Sequence, residues 1–170
     1  MLERILVALD SPETNEPLVT TAIALAKPTH ARLLLLHALP LEKDETSEDE
    51  GHVCLDSSDY TSENHLEWQR CQIDDLEKLR LIYIAVKAAG IFADIAQPIG
   101  DPGQRICQIA RQWGADLIVM GKKNSSDTDQ ATLGSVSRYV TNHAFCSTVV
   151  MQNQPCDQVV AKDFAMAMAT

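Results

Sequence analysis

The residues with the clearest chemical potential lie in "VMGKKNSSDTDQATLGSVSRYV", from Val119 to Val140. An apolar run ends at Gly121, a polar loop follows, and the chain resumes at Gly134-Ser135 before a stretch with helical spacing. That layout suits a phosphate. The first N–H groups of a helix lack intrahelical partners, and the positive end of the helix dipole sits on them. Glycine lets a ligand approach the backbone closely, and serine adds a hydroxyl donor. Lys122 and Lys123 could supply positive charge, although such lysines more often stand in solvent. Asp127 and Asp129 would repel a phosphate if turned inward, or could help a metal ion bridge to it. A Gly-Ser pair is also a common plain helix cap, so residue type alone does not decide.

The other candidates are isolated. Asp10 follows an apolar run and could face a ligand or cap the next helix. His37-Ala38 ends a second apolar run. "HVC" at 52–54 is a poor metal site, and Cys146 reads as a packed thiol. Several chemistries are absent: there is no GxxxxGK[ST] loop, no GxGxxG after the first strand and no GxSxG elbow. A phosphoacceptor receiver would need an acidic pair after the first strand and an aspartate after the third; here only Asp10 and "AQPIG" stand there. No catalytic residue and no resident metal site is assigned.

The elements that must position these residues alternate. "RILVALD" and "ARLLLLHALP" are short apolar runs bounded by charge, as expected of buried parallel strands. Between them Leu18, Ala22, Leu25 and Ala26 recur at helical spacing, with Pro17 in the first turn and Pro28 expected to end the helix at Lys27. A long helix is expected from about Glu63 to Ala89, with Leu66, Ile73, Leu76, Leu79, Tyr83 and Val86 as its apolar stripe and Gly90 as its cap. "IFADIAQ" is a third strand. Asp101 caps a helix with Pro102 in its first turn and Gly114 at its end; Ile106, Ile109, Ala110 and Trp113 face inward. "ADLIVMG", "SVSRYVTNHA" and "STVVM" give a strand, a helix and a strand. Such alternation specifies an α/β fold, a mainly parallel sheet with helices on both faces. In that architecture ligands bind beyond the carboxyl ends of the strands, where the strand order reverses.

Bulk properties fit one soluble domain. The 170 residues are 45% apolar, enough for an ordinary core. The longest aliphatic run is too short to span a membrane, and the N-terminus does not read as a secretory signal, so a cytoplasmic location is expected. The odd count of five cysteines, without a CxxC, reads as reduced thiols. The net charge of −10 is concentrated in residues 41–63, where nine acids face Lys43 alone. That excludes the basic face of a nucleic-acid binder and argues against docking to an anionic membrane. The acidic insert cannot bury enough surface to offset its ordering entropy. The tail, 152–170, lacks strong pattern.

"RILVALDSPE", "LLLLHAL", "GDPGQRICQIARQWGADLIVMGKK" and "LGSVSRYVTNHAFCSTVVM" together resemble the universal stress protein family, over residues 2–39 and 66–151. The resemblance implies a single domain over 1–151. Its fold would be Rossmann-like, of the adenine nucleotide alpha hydrolase kind: a five-stranded parallel sheet in the order 3-2-1-4-5, paired as a homodimer through the last strand, residues 147–151. It also implies a stress-response regulator whose nucleotide-binding members carry G-x2-G-x9-G-[S/T]. Here Gly121, Gly134 and Ser135 match, while Asn124 stands at the second glycine. Asparagine tolerates the left-handed backbone best after glycine; a non-glycine residue there costs roughly 1–2 kcal/mol or less, about tenfold in affinity.

By the same resemblance Ala8, Leu9, Asp10, Ala38 and Met120 fall along the adenosine, and Lys123, Val136 and Ser137 on the phosphate side. ATP or AMP, with or without Mg2+, is the expected ligand. Any hydrolysis should be slow, since no residue stands out as a general base. The alternative is an interaction protein without nucleotide, acting through its dimer surface and acidic insert on an unknown protein partner.

Overall fold

The computed structural model describes residues 2–10, 16–39, 62–122 and 133–152, with the side chains of 62–69, 71 and 152 left out. Nearly all of the acidic insert, the 123–132 loop and the tail beyond Gln152 lie outside them. The elements run β1 (Arg4–Leu9), α1 (Glu16–Thr29), β2 (Arg32–His37), α2 (Ser62–Ala88), β3 (Ala93–Ala96), α3 (Pro102–Trp113), β4 (Leu117–Lys122), α4 (Ser135–His143) and β5 (Ser147–Gln152). They build a five-stranded sheet in the order β3-β2-β1-β4-β5. Every pairing is parallel.

The sequence pattern of β1 explains its place. Ile5 to Leu9 are all buried, because both faces of the strand are covered. Ile5, Val7 and Leu9 point toward α1 and α2 and join Leu18, Ala22, Leu33, Leu35, Leu79 and Val86 in one core. Leu6 and Ala8 point to the opposite face, with Leu34, Leu36, Ile106, Ala110, Met120 and Val140, beneath α3 and α4. A one-residue slip of register would exchange these two sets.

The caps of α3 form as its residues require. The Asp101 carboxylate accepts from the Gln104 N–H at 2.8 Å, Pro102 opens the helix, and Gly114 ends it at φ 70°. Gly90, just past α2, also takes a positive φ of 82°.

Two expectations fail. Pro28 does not end α1 at Lys27; the helix runs to Thr29. The proline sits in the last turn, where the Thr29 hydroxyl donates to the Leu25 carbonyl at 2.8 Å and the chain leaves through His30 at φ 54°. The apolar stripe of α2 is also rotated. Leu79 and Val86 are buried and Ile82 and Tyr83 pack beside them, but Ile73 is 60% exposed. Six residues before Leu79, it lies about 120° around the helix. β3 is shorter than "IFADIAQ", with Phe92 exposed before it.

The amino end of the sheet is pinned by one carboxylate. The Glu3 and Arg4 N–H groups both donate to Asp116 Oδ2 at 2.9 Å. These two hydrogen bonds hold the Asp116 carboxyl below the ordinary range. A depressed folded-state pKa stabilises the fold above the unfolded value, about 3.9, and that contribution is lost as pH falls through the folded value. Asp116→Ala should therefore lower the melting temperature at pH 7, and the gap to the parent should narrow below about pH 4. Thermal melts across that range check it; a gap independent of pH would contradict it.

Candidate functional site

The switch point of the sheet lies between β1 and β4. Ala8 is in register with Leu36 of β2 and Met120 of β4, and Leu9 with His37. The carboxyl ends of three strands therefore meet along one edge. Ala8, Leu9 and Met120 are buried there, Ala38 and Gly121 are half-buried, and Asp10 is exposed. A β-carbon built on Gly121 would meet no described residue within 4 Å, so among the described residues open space adjoins the backbone at this point. Lys122 does not stand in solvent as such lysines usually do; it is 7% exposed, at the end of β4.

The α4 N-terminus supplies the second half of the site. Gly134 is its N-cap and has no side chain to accept from the first turn. The Gly134 carbonyl is well used: it accepts from the Arg138 N–H at 2.9 Å and the Ser137 hydroxyl at 3.1 Å. Ser137 is buried and its hydroxyl is engaged, so its backbone N–H is what it can offer a ligand. Ser135 and Val136 are exposed. The N–H groups of the first turn have no intrahelical acceptor, and the dipole favours an anion there. The remaining two site residues, Lys123 and Asn124, lie with Asp127 and Asp129 outside the described residues.

A groove of about 340 Å3 opens beside this end of α4. Ser135, Val136, Arg138, Tyr139, Asn142 and His143 form one wall; Asp101 and Gly103 of α3 form the other. Tyr139 and His143 stack at 4.1 Å between centroids, 10° from parallel. Gly103 makes the close approach of α3 and α4 possible. A β-carbon on it would fall 2.8 Å from Tyr139 Cδ1. Gly103→Ala should cost about 1–3 kcal/mol of stability by overpacking. In a Tyr139→Ala background the same change should cost much less, and a denaturant double-mutant cycle measures the difference. Additive losses would mean the two residues do not meet.

One buried polar residue supports the site from the opposite face. His37 is 7% exposed. Its Nδ1 lies 3.0 Å from the Leu9 carbonyl, which can only accept, so Nδ1 carries the hydrogen. Its Nε2 lies 3.5 Å from Asp75 Oδ2 on α2. His37 thus ties the end of β1, within the site, to the long helix that follows the acidic insert. His37→Ala should cost about 2–4 kcal/mol, combining a cavity with an unpartnered Leu9 carbonyl. His37→Asn, which can still donate, should recover part of it in urea unfolding. Nothing local in the sequence announces Asp75 as the partner.

The remaining candidates recede. Cys107 and Cys146 are free thiols packed against the α3/α4 core, and burial raises both pKa values. They stay protonated at neutral pH, as small hydrophobes do. Among the described residues no group of three or more His, Cys, Asp or Glu could hold a metal ion. "HVC" at 52–54 lies outside them. No helix among them is long and apolar enough to cross a membrane.

The model of the universal stress protein family matches residues 1–152. The chain belongs to the universal stress protein family. A universal stress protein of Synechocystis sp. is 32% identical over 153 residues, covering 88% of this chain and 97% of that one. Among solved structures, a universal stress protein from Lactobacillus plantarum superposes with a TM-score of 0.64 at 22% identity, over 88% of this chain and 97% of the other. A universal stress protein in complex with cAMP gives 0.59 at 19% identity, over 90% and 98% of the two chains. The Archaeoglobus fulgidus protein in complex with dAMP gives 0.56 at 19%, over 88% and 98%. At these identities the structures share the fold. In this universal stress protein the order 3-2-1-4-5 and the placing of Gly134-Ser135 at a helix start follow the family resemblance read from the sequence.

Proposed function

We propose that this protein binds an adenine nucleotide, ATP or AMP, across the carboxyl edge of β1, β2 and β4. The observation that carries the reading is the α4 N-terminus. Its N-cap, Gly134, has no side chain to cap it, and it opens beside a gap that no described residue fills at Gly121, at the sheet's switch point. Ala8, Leu9, Asp10, Ala38 and Met120 would border the adenosine. The N–H groups of Ser135, Val136 and Ser137 would take the phosphates, with Gly121, Lys123 and Asn124 on the other side of them. Relatives of the same fold held cAMP and dAMP, which favours an adenine ligand. Asp127 and Asp129, the acids that could help a metal ion bridge the phosphates, lie outside the described residues, so the titration is run with and without Mg2+.

The bound state would act as a signal rather than a reaction. Nucleotide occupancy would set the conformation around β4 and α4 and so alter a partner interface, in a cytoplasmic stress-response regulator. β5 is an edge strand with Val149 39% exposed and Phe145 46% exposed before it. Unpaired edges invite pairing, and a second copy adding β5 to β5 would make the homodimer.

Calorimetric titration of ATP and AMP into ligand-stripped protein tests the reading. Micromolar binding is expected. Gly121→Ala places a methyl in the open space without a clash, so it should weaken binding about tenfold or more while leaving the melting temperature nearly unchanged. Gly134→Val should weaken it further. Absence of heat up to millimolar nucleotide, with no thermal stabilisation, would favour the interaction protein that needs no nucleotide.

A further inference from the structure

We infer that the α3/α4 groove is a second subsite for a planar, hydrogen-bonding group carried beyond the phosphates of the nucleotide, as in a dinucleoside polyphosphate. This rests on the nucleotide reading above and extends it. Ser135 and Val136 belong to both places: they open α4 at the phosphate position and they begin the wall of the groove. From Ser135 the groove follows α4 as far as His143. Eight residues of helix advance about 12 Å. The volume, about 340 Å3, falls within the range of small-molecule sites. A nucleotide that ends at the α4 N-terminus leaves this length unfilled.

The chemistry of the walls selects the occupant. Tyr139 and His143 form a two-ring stack on the groove, and a base extends such a stack by one more ring. The His143 Nδ1 lies 2.8 Å from the Tyr139 carbonyl, so it carries the hydrogen and fixes the ring against the helix. Its Nε2 then remains to accept from a ligand. Asn142 brings an amide that both donates and accepts, as the edge of a base requires. Arg138 brings a guanidinium suited to a phosphate or to a π face. The acid on the wall, Asp101, has Oδ1 occupied by the Gln104 N–H. The floor depends on Gly103, whose missing side chain lets Tyr139 lie flat over α3. A purely structural contact between α3 and α4 would need Gly103 and Tyr139. It would not need an exposed Asn142 and His143 beside them.

The test is calorimetric titration of full-length, ligand-stripped protein with ATP, AMP and diadenosine tetraphosphate, on the parent, Asn142→Ala and His143→Ala. Both substituted residues are exposed and lie outside the mononucleotide site, so both variants should fold and bind ATP as the parent does. The expected result is that the parent binds the dinucleotide at least tenfold more tightly than ATP, and that each variant removes most of that advantage. Binding of ATP with no advantage for the dinucleotide overturns the subsite and leaves the nucleotide reading standing. Equal weakening of ATP and dinucleotide in the variants also overturns it, because the groove would then belong to the first site. Failure of every nucleotide to bind the parent overturns both.

Discussion

Everything in this molecule depends on β1 being paired on both sides by parallel strands that the chain reaches in opposite directions. β2 lies on one flank and β4 on the other. Parallel neighbours need crossovers, and right-handed crossovers that run outward in two directions place helices on both faces. Two results follow from this single constraint. Residues of β1 must be apolar on both sides, as Ile5 to Leu9 are. The crossovers from β1 and β4 also lead to opposite sides of the sheet, which is the arrangement that opens a crevice at the strand ends.

That crevice is where the sequence departs from core-building. β4 ends in a glycine with space beside it and a buried lysine, and α4 begins with a glycine that offers its helix no side-chain cap. An N-cap serine or aspartate at position 134 would satisfy a free N–H, at a gain over glycine of only a few tenths of a kcal/mol. Leaving the N–H groups uncapped suits a site whose missing acceptor arrives with the ligand. His37 is a buried polar group of the same region, and its Nδ1–H is satisfied by the Leu9 carbonyl.

What could be read in advance was local. The apolar runs of β1, β2 and β4 were legible because each is short, continuous and bounded by charged or turn residues, as a strand covered on both faces requires. The bounds of α3 were legible because Asp101, Pro102 and Gly114 each act within one turn of the helix. The Gly134-Ser135 pair fell at a helix start for the same reason. Other features were set by distant neighbours. The side of α2 that meets the sheet was misjudged at Ile73, since a helix of this length has several apolar residues and only packing chooses among them. Pro28 was overread because a proline in the last turn removes only one helical hydrogen bond, and the turn around it is held by the Thr29 hydroxyl on the Leu25 carbonyl. The Gly103–Tyr139 contact and the His37–Asp75 pair join residues far apart in the chain, and no local pattern marks either.

The central claim is that the first-turn N–H groups of α4 are the anchor for a nucleotide's phosphates. The most direct measurement follows the backbone amide resonances of the isotope-labelled, full-length protein as AMP is added. The account predicts that the amides of Ser135, Val136 and Ser137 move first and farthest, joined by Gly121, Ala8 and Asp10, while the amides of β3 and of the Asp116 clamp stay in place. Saturable shifts confined to another face, with the α4 amides unmoved, would contradict it.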